Sequence, residues 1–133
     1  MAIDLTSVEN GTTLATLDCP GRTKEELADY ASASGDLNPL HLDEAFARKA
    51  GFGDLVVHGM LNMAALGRLL TDHFEPNAIL GFSSRFEGVL LVGEPTRLSM
   101  TLLARTDGIA AIALEMLAPE GRRIVGGRAT IRL

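Results

Sequence analysis

From about residue 96 onward, apolar and polar positions alternate with a period of two. Leu98, Met100 and Leu102 alternate with Arg97, Ser99 and Thr101. Ile112, Leu114 and Met116 alternate with Ala113 and Glu115, and Val125, Gly127, Ala129, Ile131 and Leu133 with Arg128, Thr130 and Arg132. This period predicts strands with one buried face. Asp107-Gly108 is a two-residue hairpin signal, and Pro119-Glu120-Gly121 marks a second turn. A further strand is expected over about 79–91, and a weak alternation over 12–19 predicts a first one.

Between the first strand and the rest, the period changes. Thr23 followed by Glu26 forms a capping box that opens a short helix through Ser34, with Gly35 as its stop. Asp43 caps a second short helix that ends at Gly51, with Ala45, Phe46 and Ala50 on one side. From Gly59 to Phe74 polar residues are few, and Met60, Leu61, Met63, Ala64, Ala65, Leu66, Leu69 and Leu70 cover most of the circumference. Such a helix is expected to be buried on most sides, and the strands supply the cover. The reading is an α+β fold in which a curved antiparallel sheet wraps one long helix; an open sandwich with the helix on one face is the alternative.

At 133 residues, with no repeat, linker or low-complexity segment, the chain reads as one domain over 1–133. No apolar run reaches the roughly 18 residues that span a bilayer, so no membrane role is expected. Met1-Ala2-Ile3-Asp4 lacks the basic-then-apolar order of a secretory signal. The single cysteine, Cys19, fits a reducing compartment, and a cytoplasmic location is expected. The net charge is −5, with 5 Lys/Arg against 12 Asp/Glu in residues 1–80 and 7 against 5 in residues 81–133. No basic stripe exists to displace phosphate counterions, which argues against a nucleic-acid partner.

The chemistry concentrates in Gly35-Asp36-Leu37-Asn38-Pro39-Leu40-His41. Singly, each residue has an ordinary structural use: Asp36 as a turn residue, Asn38-Pro39 as turn initiation, His41 as a hydrogen-bonded loop histidine. Together they place a carboxylate and an imidazole on either side of a bend stiffened by Pro39, which fixes its own φ and biases Asn38 to extended geometry. An acid/base pair held in this way can move protons on and off a substrate carbon. Rival chemistries are poorly supported. A catalytic metal needs about three protein ligands, and His58 and His73, 15 residues apart, have no ligand pitch. Ser32 and Ser34 lack a nucleophile elbow, and Gly51-x-Gly53 is not a phosphate loop. In Val57-His58-Gly59-Met60, Gly59 either presents a bare N–H at the positive start of the long helix or relieves crowding against the sheet. His58 reads as a helix-cap or packing residue, and His73 as a charge complementing the helix C-terminus.

The string Tyr30-Ala31-Ser32-Ala33-Ser34-Gly35-Asp36-Leu37-Asn38-Pro39-Leu40-His41, with Ala47 six residues on and His58-Gly59-Met60 beyond, resembles the MaoC-like family of hot-dog-fold proteins. Arg85-Phe86 and Val92-Gly93-Glu94 look like the family's strand pair after the central helix; Ala33 departs mildly from the usual pattern. Its best-described members are R-specific enoyl-CoA hydratases and 3-hydroxyacyl-ACP dehydratases. The resemblance implies a hot-dog fold that pairs edge to edge in a homodimer or higher homo-oligomer. It implies Asp36 and His41 as a catalytic dyad, Asn38 as the residue holding their geometry, and the Gly59 amide as oxyanion donor. Met60, Leu61, Met63 and Ala64 are expected acyl-tunnel walls. The implied reaction is reversible syn addition of water to a trans-2-enoyl thioester, carried by CoA or acyl carrier protein, with no metal or other cofactor. A dehydratase of lipid synthesis and a non-catalytic thioester-binding subunit are the alternatives. A hot-dog thioesterase is disfavoured, because the only helix carboxylate, Asp72, sits at the wrong end.

Overall fold

The computed structural model describes residues 3–133; Met1 and Ala2, the start of the N-terminal stretch read for a secretory signal, lie outside the described residues. Strand β1 (Thr13–Cys19) is followed by helices α1 (Lys24–Ser34), α2 (Glu44–Lys49) and α3 (Gly59–His73). Strands β2 (Ile79–Phe86), β3 (Thr96–Thr106), β4 (Ile109–Ala118) and β5 (Arg122–Arg132) come after them. All neighbours pair antiparallel in one five-stranded sheet of order β1-β3-β4-β5-β2, so β2 lies at an edge. No helix among the described residues is long and apolar enough to cross a membrane.

The alternating pattern sets which face is inside. Leu98, Met100 and Leu102 of β3, Ile112, Leu114 and Met116 of β4, and Val125, Ala129 and Ile131 of β5 are all buried. They pack with Leu66, Leu69 and Leu70 of α3 in one apolar core. Each fully buried Leu or Ile contributes about 2 kcal/mol through loss of apolar surface to water. Asp107 and Gly108 both take positive φ (51° and 77°), as the β3–β4 hairpin requires.

Three expectations need correction. Helix α3 is buried along one side only. Asn62, Leu66, Leu69 and Leu70 are covered, whereas Met60 is 56% exposed and Ala64 is also exposed. The sheet curls far enough to cover one face of the helix, and the remaining apolar stripe is open in the single chain. In α2 the buried residue is Ala47, not Ala45, Phe46 or Ala50. The Ala47 carbonyl accepts the Phe52 N–H at 3.0 Å, and this return of the chain turns the Ala47 side inward. Finally, β2 stops at Phe86 rather than near residue 91, and Val92-Gly93-Glu94 forms a turn rather than strand. The chain leaves the sheet because the Glu87 and Gly88 amides both donate to the Ile124 carbonyl.

That departure brings residues 90–92 alongside 55–57. Val57 N–H donates to Leu90 O at 2.8 Å, Val92 N–H to Leu55 O at 2.9 Å, and Val56 bridges Leu91. The segment entering α3 is thereby fixed to the connection between β2 and β3. The segment entering α1 is fixed to the same connection: Gly93 N–H donates to Arg22 O at 2.9 Å, and Gly21 lies against Gly93 so closely that a Cβ would stand 2.2 Å from its carbonyl. Gly21→Ala is expected to lose about 3 kcal/mol by forcing these backbones apart, a fall in melting temperature of roughly 10 °C. Thermal unfolding followed by circular dichroism checks it, and an unchanged melting temperature contradicts it.

Candidate active site

Helix α1 opens on the expected capping box: Glu26 N–H donates to Thr23 Oγ1 at 3.1 Å and Thr23 N–H to Glu26 Oε1 at 3.0 Å. It ends at Gly35, whose left-handed φ of 80° turns the chain back on itself. Asp36 follows, its N–H donating to Ser34 Oγ at 3.2 Å. Asn38 N–H donates to Asp36 Oδ1 at 3.3 Å, and Asn38 Oδ1 accepts from Leu40 N–H at 3.0 Å. Asn38 is extended (φ −55°, ψ 127°) ahead of Pro39, and Pro39–His41 close a single 3-10 turn. One carboxylate oxygen of Asp36 is therefore occupied by the bend, and Oδ2 is left for His41.

Val56 holds His41 and the residue before it through two bonds. Its Nδ1 lies 2.6 Å from the Val56 carbonyl, and the Val56 N–H donates to Leu40 O at 3.0 Å. A carbonyl can only accept, so Nδ1 carries the proton; in the neutral ring the lone pair is on Nε2. That nitrogen faces Asp36 Oδ2 at 3.7 Å. The separation is too long for a direct hydrogen bond, but it allows one hydroxyl-sized group to touch both. The His41 side chain is 11% exposed and that of Asp36 50%, so the pair has a protected imidazole and an accessible carboxylate.

A third group joins them that the sequence reading did not assign to the site. His58 is 1% exposed, and its ring stacks on His41 with centroids 3.8 Å apart and planes at 22°. Its Nε2–H donates to the Asp36 carbonyl at 3.3 Å. It occupies the N-cap position of α3 but makes no side-chain cap bond, so the helix-cap reading is not realised by its imidazole. The signal lay in position: His58 is the residue where the clamped 55–57 segment meets α3. One ligand atom from each of Asp36, His41 and His58 falls within 4.8 Å of the others. The stacking works against a shared metal, because near-parallel rings direct their lone pairs side by side rather than to one centre.

Gly59 begins α3, and its N–H donates to no backbone carbonyl among the described residues. A Cβ there would meet the Phe86 ring at 3.0–3.3 Å, so the residue both exposes a donor and lets Phe86 close in. Of the expected tunnel walls, Leu61 and Met63 are half-buried, while Met60 and Ala64 are open surface in the single chain. A cleft of about 310 Å³ reaches His41 from the side of Lys24, Ala28, Leu42 and Leu55. Two somewhat larger depressions, each of about 350 Å³, lie on Asp18–Arg97 and on Ser83–Arg128 surfaces and bring no acid/base pair together.

Burial, and then the neighbouring His41, hold the His58 pKa below the usual 6.5. Folded His58 stays neutral at pH values where the unfolded chain takes up a proton. Its contribution to stability is therefore complete above about 6.5 and declines as pH falls toward the lowered folded value. The stability of the parent minus that of His58→Phe is expected to fall between pH 7.5 and 5, whichever is the more stable at 7.5, measured by urea unfolding at each pH. A difference independent of pH over that range contradicts this.

Three comparisons set the chain among known proteins. The family model for the MaoC-like domain matches residues 7–116. The chain is 33% identical to an (R)-specific enoyl-CoA hydratase of Aeromonas caviae over 112 residues, covering 81% of this chain and 84% of that one. It is 38% identical over 72 residues to a mitochondrial 3-hydroxyacyl-[acyl-carrier-protein] dehydratase of Arabidopsis thaliana, over 54% of this chain. It spans 43% of that plant protein's length and 5% of the length of the fatty acid synthase beta subunit TOXC of Cochliobolus carbonum, to which it is also similar. The solved structure of the A. caviae (R)-hydratase involved in PHA biosynthesis superimposes with a TM-score of 0.80 at 32% identity, covering 96% of this chain and 98% of that one. Its curved sheet and central helix are the arrangement found here, so the fold is the hot-dog fold, and the chain belongs to the MaoC-like domain family.

Proposed function

We propose that this protein is a hydro-lyase that adds water reversibly to a trans-2-enoyl-CoA, giving the (R)-3-hydroxyacyl-CoA. The observation that carries this is the 3.7 Å gap between His41 Nε2 and Asp36 Oδ2, with His41 Nδ1 committed to the Val56 carbonyl. A water gripped by both groups loses a proton as its oxygen attacks C3. The pair then delivers a proton to C2 on the same face, so the sum is one water added syn. The Val56 bond leaves His41 with its acceptor nitrogen toward the water, which favours it as the base. Asn38 holds Asp36 Oδ1 and so aims Oδ2. Charge that develops on the thioester oxygen is met by the Gly59 N–H and the positive start of α3. This chemistry calls for no metal or redox cofactor.

The acyl chain runs along Met60, Leu61, Met63 and Ala64, with a second copy of the chain closing the open side. Support for a homodimer comes from the outer edge of β2 and from exposed apolar residues around the site: Leu37 at 65%, Met60 at 56% and Phe86 at 52% exposed. We assign the protein to the cytoplasm, where half-buried Cys19 stays reduced. The likeness to the plant dehydratase favours a second reading, the same chemistry run toward dehydration on an acyl carrier protein. Rates on CoA and carrier-protein forms of one substrate separate the two.

Asp36→Asn keeps the bend's hydrogen-bond acceptor and removes the charge. It is expected to fold as the parent does and to hydrate crotonyl-CoA slower by roughly 10²- to 10⁴-fold, followed as loss of enoyl absorbance. A variant as fast as the parent ends this assignment.

A further inference from the structure

Among the described residues, no backbone-to-backbone hydrogen bond reaches Asp36 or Leu37. The amide of Asp36 is held only by the Ser34 hydroxyl two residues back, and its carbonyl only by His58. The same His58 ring lies flat on His41 at 3.8 Å. A second aromatic ring, that of Tyr30, meets it edge-on at 4.8 Å and 67°. The His58 backbone carbonyl starts α3 by accepting Leu61 N–H at 3.1 Å and Asn62 N–H at 3.2 Å. One buried side chain thus touches both members of the acid/base pair and is bonded in sequence to the Gly59 amide.

We propose that His58 is a positioning residue for the Asp36/His41 pair: it anchors the Asp36 backbone through Nε2–H and fixes the plane of the His41 ring by stacking. The role rests on the hydration reading proposed for this site.

Stability alone does not call for a histidine here. With Nε2–H on the Asp36 carbonyl, Nδ1 is a bare lone pair, and it is buried with no partner among the described residues. An apolar side chain of similar volume would fill the space without that orphan. What no apolar residue supplies is a flat ring together with a donor at its far end. A cationic residue would supply the donor but place a fixed charge against His41. A neutral imidazole meets all three demands, and burial keeps it neutral. The orphaned nitrogen is the cost of that combination, as is common at sites where geometry serves function.

Two variants divide the functions. His58→Phe keeps a ring and loses the donor; His58→Gln keeps a donor and loses the ring. Each is expected to lower kcat on 2-enoyl-CoA by roughly 10- to 100-fold, as an ångström-scale misplacement does, with KM moving by less than about 3-fold. His58→Ala is expected to fall below both, so that Phe and Gln each recover part of the loss. A KM effect with kcat unchanged, or folded variants within about 2-fold of the parent, overturns the role. The unaltered protein gives an independent readout, since it holds only three histidines. Ring ¹⁵N spectra at pH 7 are expected to show His58 as the neutral Nε2–H form and His41 with Nδ1 protonated. His58 found as imidazolium or as the Nδ1–H form overturns the proposal even if no variant folds. A parent that hydrates no 2-enoyl thioester sinks the hydration reading and this role with it. An active parent with equally active His58 variants sinks this role alone.

Discussion

The hydrogen bond from His41 Nδ1 to the Val56 carbonyl, 2.6 Å long, is the constraint on which the site depends. It fixes the ring's tautomer and its orientation, and it does so through a backbone atom that cannot drift. Val56 is bridged to Leu91, and its neighbours Leu55 and Val57 are bonded to Val92 and Leu90. Those residues come after β2, whose exit is set by the Ile124 carbonyl of β5. The position of one imidazole is thereby inherited from the sheet.

Asp36 is secured differently. Its carboxylate is aimed by the Asn38 amide, its chain direction by the left-handed Gly35, and its carbonyl by a buried histidine. The pair therefore combines a rigidly held imidazole with a half-exposed carboxylate. The helix start beside it adds partial positive charge to the site. The open stripe of α3 and the unpaired edge of β2 lie on the same molecule, and both are surfaces that a second copy can cover.

Much of this was legible in the sequence, for identifiable reasons. Strands β3, β4 and β5 were readable because a sheet with one wet face forces a period of two, and Leu98 through Leu102 or Ile112 through Met116 obey it without exception. The α1 boundaries were readable because Thr23, Glu26 and Gly35 act locally. The bend at Asn38-Pro39 was readable because proline restricts its predecessor whatever the tertiary context. Features set by distant partners were not. The end of β2 depends on Ile124, and the inward turn of Ala47 on Phe52. The exposed side of α3 looked buried because Met60 and Ala64 are as apolar as the residues that the sheet does cover. His58 was the chief omission: its contacts, with Asp36 twenty-two residues away and with the His41 ring, arise only when three segments fold together.

The most direct measurement of the central claim is the stereochemistry of hydration in D₂O. In the proposed reaction, a single water held between Asp36 and His41 would attack C3 and supply C2 from one face of the enoyl thioester. The product is therefore expected to be the (R)-3-hydroxyacyl-CoA carrying one deuteron at C2, placed syn to the new hydroxyl. An (S) product, or deuterium placed anti or on both faces, would contradict a site built on this pair.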